Sequence, residues 1–182
     1  MGKTYSAISP ELAAWIARQP VFFVATAPLS EDGHVNCSPK GLDTFRVLDS
    51  NTVAYGDLTG SGAETAAHLK ENGRIVVMFC AFEGAPKIAR LHGRGEVIVP
   101  SSPSWPELSE KVPLRDGMRA IILVHVTRVS DSCGFGVPNM KLVGEREVLT
   151  RWIEKKGDEL PAYRRLKNTR SIDGLPTPAF DE

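Results

Sequence analysis

The stretch RIVVMFCAFEGAPKIARLHGRGEVIV, residues 74–99, contains two runs of β-favouring residues on either side of a turn. The first run, RIVVMFCAF, is almost continuously apolar, and EGAP separates it from KIARLHGRGEVIV. Apolar and β-branched runs bounded by Gly and Pro are typical of neighbouring strands. Gly93 and Gly95 interrupt the second run, which predicts a bulge or a barrel corner. This stretch therefore indicates a protein built mainly from antiparallel strands.

Two hairpins are predicted before this stretch. VFFVATA and VNCSP flank the Asp32-Gly33 turn signal, and TFRVLD and TVAYGD flank Ser50-Asn51. After residue 99, MRAIILVHVTRVS predicts another long strand. The total of six or seven antiparallel strands, with closely spaced turns, favours a small β-barrel.

The helices are predicted to lie at the periphery of the barrel. Ser9 and Pro10 mark the start of a short helix, and a second runs from about Ala63 to Asn72-Gly73. A short helix is expected around PELSE, and one or two more within REVLTRWIEKKGDELPAYRRL. We predict a single domain over residues 1–182, with a barrel core at about 20–130 and a C-terminal loop and helices at 131–182.

Composition argues against several classes of partner. The 22 basic residues balance the 22 acidic ones, so no net charge attracts nucleic acid or an anionic membrane. No apolar run reaches the roughly 20 residues that span a bilayer, and the first residues lack the apolar core of a signal peptide. The cysteines and histidines form no cluster with metal-ligand spacing. We expect a cytoplasmic protein with a small-molecule substrate, no nucleic-acid or membrane partner and no metal.

The segment VAYGDLTGSGAETAAHL, residues 53–69, joins a β-like run to an alanine-rich helix-like run. A P-loop requires a lysine after its last glycine, and none follows Gly62. A dinucleotide fingerprint has a third glycine where this chain has Thr65. Ser61 and Glu64 have the S-x-x-E spacing of a capping box. A helix start after a glycine-rich turn also presents free amides that can bind a phosphate. Both interpretations of the segment remain open.

Four motifs together resemble the pyridoxamine 5'-phosphate oxidase-like FMN-binding family. They are VNCSPKG (35–41), NTVAYGD (51–57), AAHLKENGRIVVMF (66–79) and KIARLHGRGEVI (87–98), and the resemblance covers roughly residues 10–130. It implies a split β-barrel, mainly β with peripheral α-helices. It also implies a homodimer with FMN at the subunit interface.

The resemblance also implies roles for particular residues. Lys40 matches a lysine that contacts the flavin ring, where a cation stabilises the negative charge of reduced flavin. Glu64 and Thr65 stand where the oxidases have an Arg-Lys pair for the phosphate, so neutral donors are expected to replace that pair. Lys87 and Arg90 match basic and polar positions near FMN, although surface charges on a strand would look the same. The predicted cofactor-binding residues are Asn36, Ser38, Lys40, Tyr55, Gly56, Thr59, Ser61, Gly62, Thr65, Lys87 and Arg90.

The function that the resemblance implies is that of an FMN-dependent oxidoreductase acting on an unidentified small molecule. No residue is recognisable as a catalytic acid or base. The C-terminal arginine segment of the true oxidases is not recognisable in TRSIDGLPTPAF, so authentic pyridoxamine phosphate oxidase activity is not expected. Two alternatives stay open: a non-catalytic module that stores or senses flavin or haem, and a reductase that uses the deazaflavin F420.

Overall fold

The computed structural model describes residues 2–181. The terminal residues of the predicted domain, 1 and 182, lie outside this range. The strands, all between residues 4 and 132, form one antiparallel sheet. The strands are β1 (Thr4–Tyr5), β2 (Phe22–Thr26), β3 (Asn36–Lys40), β4 (Phe45–Val47), β5 (Thr52–Leu58), β6 (Arg74–Cys80), β7 (Ile88–Ile98) and β8 (Met118–Ser132). The helices are α1 (Pro10–Ile16), α2 (Glu64–Asn72), α3 (Trp105–Lys111), α4 (Val148–Lys156) and α5 (Leu160–Lys167), with a 3₁₀ turn at Gly157–Glu159.

The strand order is β3-β2-β6-β7-β8-β5-β4, and β1 pairs with β8. The sheet curls so that its two ends approach each other around an aromatic cluster. The ring of Phe45 on β4 lies 5.1 Å from Phe22 on β2 and 4.9 Å from Phe79 on β6. The mainly β architecture with peripheral helices is confirmed, and the two-residue β1 adds to the predicted strands.

Both predicted hairpins are present. β2 pairs with β3 from Phe22 opposite Lys40 to Thr26 opposite Asn36, and β4 pairs with β5 from Phe45 opposite Tyr55. Along β2, alternate residues are buried, as expected of a strand with one face on the core. These registers decide which side chains of β3 face the inside of the barrel.

The bulge predicted in the second run of the opening stretch is confirmed. The register between β7 and β8 shifts between His92 and Gly93. A Cβ atom at Gly93 would lie 2.2 Å from the backbone oxygen of His125, so only glycine lets the two strands approach this closely.

The helix boundaries agree with the predictions except at one position. The Ser9 hydroxyl accepts the Leu12 N–H at 3.2 Å, and α2 ends at Gly73 with φ 70°. The capping box expected of Ser61 and Glu64 is wrong, because α2 begins two residues later, with Ala63 as an N-cap that makes no side-chain hydrogen bond.

The physical reason for this later start is the backbone of Ala63, whose φ of −141° lies outside the helical range, so that no helical turn can begin directly after Ser61. A helix capped by Ser61 would use the Gly62 carbonyl as an acceptor for a helix amide. In the structure that carbonyl accepts from Arg119 Nη2 at 3.0 Å. The first backbone bond of the helix runs from the Ala67 N–H to the Ala63 carbonyl.

The C-terminal segment packs against the loop that precedes α2. Arg164 on α5 donates from Nε to Thr59 Oγ1 at 2.9 Å, and Asn168 Nδ2 donates to the Gly60 carbonyl at 3.0 Å. Further along, Lys70 on α2 donates to the Thr177 carbonyl at 2.8 Å. None of the helices within residues 2–181 is long and apolar enough to cross a membrane.

Candidate functional site

One face of β3 carries a row of polar side chains. Because side chains alternate along a strand, Asn36, Ser38 and Lys40 lie on the same face, and we call these three residues the polar row. Asn36 Nδ2 donates to Thr65 Oγ1 at 3.0 Å, and the Ser38 hydroxyl donates to Asn36 Oδ1 at 3.0 Å. Thr65 belongs to the first turn of α2, so these bonds hold the strand beside the start of that helix.

Two buried side chains lie behind the polar row. Asn36 Nδ2 also contacts Thr26 Oγ1 at 3.2 Å, and Thr26 Oγ1 shares a hydrogen bond of 2.9 Å with His68 Nδ1. His68 is fully buried, and this burial lowers its pKa. The imidazole is therefore neutral at pH 7. Its Nε2 atom has no hydrogen-bond partner among residues 2–181.

Lys40, at the other end of the row, belongs to a buried ion-pair network. Lys40 Nζ lies 3.2 Å from Asp57 Oδ1, and Arg119 Nε donates to Asp57 Oδ2 at 2.8 Å. The side chains of Asp57 and Arg119 are only 2% and 4% exposed. Burial raises the pKa of Asp57, but the two cations lower it by more, so it lies below its usual value. One carboxylate between two cations leaves one net positive charge.

Arg119 links this network to the loop before α2. Its Nη2 donates to the Gly62 carbonyl, and its guanidinium lies 4.9 Å from the centre of the Phe180 ring. Its Nη1 atom is buried without a hydrogen-bond partner in the described part of the chain. Lys40 and Gly62, both predicted cofactor-binding residues, are thus connected through Asp57 and Arg119.

The start of α2 has the features of an anion-binding helix end, with one opposing charge. The amides of its first turn precede the first backbone hydrogen bond of the helix, and they present the positive end of the helix dipole. Glu64 also lies in this turn, and its carboxylate folds back over Gly62, where an added Cβ would lie 2.3 Å from Oε2. The acid therefore turns back toward the loop, although it forms no capping box with Ser61.

The chain matches a known protein family. The family model described as pyridoxamine 5'-phosphate oxidase matches residues 8–133. The chain belongs to the pyridoxamine 5'-phosphate oxidase family. A relative from Aspergillus flavus, the pyridoxamine 5'-phosphate oxidase family protein ustO, is 41% identical over 191 residues, which cover 94% of this chain and 76% of ustO. The resemblance seen in the four sequence motifs is confirmed.

Solved structures confirm the fold. HupZ from Group A Streptococcus has a TM-score of 0.53 at 23% identity, covering 67% of this chain and 91% of HupZ. The FAD binding protein from Mycobacterium smegmatis has a TM-score of 0.51 at 12% identity, covering 69% of this chain and 96% of that protein. The predicted split β-barrel is therefore confirmed.

The other residues predicted for a pyridoxamine 5'-phosphate oxidase family site do not all join the polar row. Thr59 is fully buried and donates to the Gly117 carbonyl at 2.8 Å, whereas Ser61 is exposed. Tyr55 packs its ring in the core, 5.3 Å from Phe22. Gly56 is buried beside it, where a Cβ would lie 2.6 Å from a methionine sulfur.

Lys87 and Arg90 lie apart from the polar row. β7 is three strands away from β3, which corresponds to about 14 Å across the sheet. Lys87, just before β7, places its ammonium group 5.1 Å from the centre of the Trp15 ring. Arg90 donates to Ser132 Oγ at 3.1 Å.

Sequence reasoning missed the buried partners of the predicted residues. Asp57 ends the motif NTVAYGD, and an acid within a predicted strand that is otherwise largely apolar was a usable signal for a buried ion pair. Arg119 is 62 residues further along the chain, and nothing local distinguishes it from a surface arginine. The same holds for Thr26 and His68, which meet across 42 residues of sequence.

Proposed function

We propose that this protein is a flavin-dependent oxidoreductase that binds FMN along the polar row and acts on a small molecule. The observation that carries the proposal is the distribution of donors along β3. Asn36 and Thr65 lie at the α2 end of the strand and Lys40 at the other end, about 13 Å away for four residues of extended chain. FMN has matching ends, a phosphate and a flavin ring, joined by a flexible polyol chain.

The donor set fits each end of FMN. The amides and Thr65 hydroxyl at the start of α2 suit a phosphate, since helix N-termini bind anions. Lys40 supplies a cation for the pyrimidine side of the ring, and Asp57 restricts where its ammonium group can lie. When bound, the flavin supplies the exchange of a hydride or of electrons with the substrate.

Glu64 weakens the binding of a phosphate at the start of α2. Its carboxylate lies in the same helical turn as the amides, so it opposes the binding of a dianion. Neutral donors and backbone amides then carry phosphate recognition, as expected from the residues that replace the Arg-Lys pair of the oxidases.

We also infer that the protein works as a homodimer with the flavin at the interface between the subunits. The support is the family relationship together with the free edge of β3, the terminal strand of the sheet. Val35, next to this edge, is a large apolar side chain that is 73% exposed.

The first experiment measures the absorbance spectrum of the protein as purified and the mass of any released ligand. FMN and riboflavin are then titrated into protein freed of ligand, with flavin fluorescence and the melting temperature as readouts. Colourless protein, together with neither quenching nor thermal stabilisation by FMN, contradicts the proposal. A released mass equal to that of F420 would replace FMN as the cofactor.

A pair of variants tests the phosphate end. Thr65→Val removes a hydroxyl at the start of α2, and we expect about a tenfold loss of FMN affinity with little change for riboflavin, which has no phosphate. Thr127→Val is the matched control, because Thr127 is exposed on β8. Equal losses for both ligands in Thr65→Val would mean that the hydroxyl only supports the fold.

A turnover assay separates an enzyme from a storage protein. We expect FMN-loaded protein to oxidise NADH, NADPH or a reduced deazaflavin in the presence of an electron acceptor. Tight binding of FMN without any turnover would favour the non-catalytic alternative.

A further inference from the structure

A large cleft lies beside β2 and β3, on the side of the sheet that faces away from the core. Its volume is about 830 Å³, within the range of small-molecule sites. Phe23 and Pro39, which are opposite each other in the β2–β3 pair, form one wall. Met140, Leu142 and Trp152 form the other wall, and they lie beyond residues 8–133 of the family domain.

The cleft is mostly apolar but has an excess of positive charge. Its charged lining residues are Lys40, Lys141, Arg146 and a single acid, Glu145. Lys40 is paired with Asp57, whereas among residues 2–181 neither Lys141 nor Arg146 takes part in an ion pair. This arrangement complements a ligand with an apolar body and an anionic group.

Backbone strain supports a binding role for the same cleft. Leu42 lines it and has a φ of 60°, and the next residue, Asp43, has a φ of 51°. A non-glycine residue in the left-handed region costs roughly 1–2 kcal/mol, and such residues cluster at ligand sites. Leu42 thus combines a strained backbone with a position in the cleft lining, two residues from Lys40.

We propose that this cleft binds the substrate, and that the substrate is an aromatic or similarly apolar molecule that bears a carboxylate or another anionic group. Phe23, Leu42 and Trp152 contact the apolar part, while Lys141 and Arg146 bind the anion. The role as substrate rests on the proposed function, because Lys40 belongs both to the cleft and to the polar row. The binding of such a molecule does not depend on the flavin.

Two fluorescent probes that differ by one charged group test the proposal. 1-Anilinonaphthalene-8-sulfonate is an aromatic anion, and N-phenyl-1-naphthylamine has the same rings without the sulfonate. We expect saturable binding of the sulfonate at one site per chain. The double variant Lys141→Gln/Arg146→Gln should lower the affinity for the sulfonate about fivefold or more. Its affinity for the neutral probe should change less than twofold.

Arg151→Gln is the control variant, since Arg151 is an exposed α4 cation outside the cleft lining. It should leave the affinity for both probes unchanged. The proposal is overturned if sulfonate binding does not saturate, or if Arg151→Gln lowers the affinity for the sulfonate as much as the double variant does. It is also overturned if the double variant lowers the affinity for both probes equally.

Energy transfer from Trp152 provides a second readout that does not depend on the basic residues. Trp152→Phe keeps an aromatic ring in the wall, so the sulfonate should still bind, but tryptophan-sensitised emission should fall. Unchanged emission would place the probe near Trp15 or Trp105 instead and overturn the assignment.

Titration with FMN separates this inference from the proposed function. If the sulfonate binds equally well to ligand-free and FMN-loaded protein, the cleft is distinct from the flavin site, as proposed. If FMN displaces the sulfonate one for one, the cleft is the flavin's own site; this inference fails while the proposed function stands. If FMN does not bind at all but the sulfonate does, the proposed function fails and the anion-binding cleft remains.

Discussion

Replacing Asp57 by Asn tests whether the buried ion-pair network stabilises the fold. The substitution keeps the shape of the side chain but removes the negative charge that faces Lys40 at 3.2 Å and Arg119 at 2.8 Å. Removing one partner of a buried pair costs about 3–5 kcal/mol, because the other charge stays buried without compensation. Lys40 is 24% exposed, so water can solvate it, and the cost falls mainly on Arg119.

We therefore expect Asp57→Asn to lower the free energy of unfolding by about 3 kcal/mol, the lower end of that range. For a chain of this size the melting temperature should fall by roughly 6–12 °C. Urea unfolding gives the free energy, and a thermal melt gives the temperature. Asp43→Asn is the control: Asp43 pairs with Arg46, but its side chain is 69% exposed, and a surface pair contributes at most about 1 kcal/mol.

The pH dependence gives an independent check on the same network. Burial raises the pKa of Asp57, and the two cations together bring it below its ordinary value. A carboxylate with a lowered pKa in the folded state contributes stability above its unfolded pKa and loses it as the pH falls through the folded pKa. The difference between wild type and Asp57→Asn should therefore shrink below about pH 4. A loss no larger than that of Asp43→Asn at pH 7 would refute the reasoning.

Three further predictions concern the barrel and the helices packed against it. Gly93→Ala should lower the free energy of unfolding, measured with urea, by about 1–3 kcal/mol, because the new Cβ would lie 2.2 Å from a carbonyl oxygen of the neighbouring strand. In the control Gly136→Ala the new Cβ meets open space, and the loss should be smaller. Arg164→Gln should lower the free energy of unfolding by about 2 kcal/mol and speed hydrogen exchange in residues 59–62. The control Arg165→Gln, at an exposed position, should do neither. Because burial lowers the pKa of His68, stability should fall as the pH drops below about 6.5, and less steeply in His68→Gln.

Features fixed by neighbouring residues were predictable from the sequence. The Asp32-Gly33 turn, the Ser9 cap and the Gly73 helix end depend on local backbone preferences, and all three occur where they were expected. The bulge at Gly93 was predictable for the same reason. The short β1 was missed, because Thr4 and Tyr5 become a strand only by pairing with β8.

The candidate site was predictable only in part. Asn36, Ser38 and Lys40 share a face because β3 alternates, so one matched motif was enough to identify the row. The position of the Lys40 ammonium group depends on Asp57, and that of the Gly62 carbonyl on Arg119, which comes from a distant strand. Pairs of this kind have no local pattern to reveal them.

The placement of β8 has a consequence for how the chain folds during synthesis. β8 joins β7 to β5 and is also the partner of β1, yet it comes last among the strands. Until residue 132 has left the ribosome, β5 and β7 each keep an edge with unpaired amides and carbonyls. The hairpins can form early, but the barrel cannot close before this strand arrives. Nascent chains truncated before residue 118 should therefore bind chaperones or aggregate, and a late stalling site would be better tolerated than an early one.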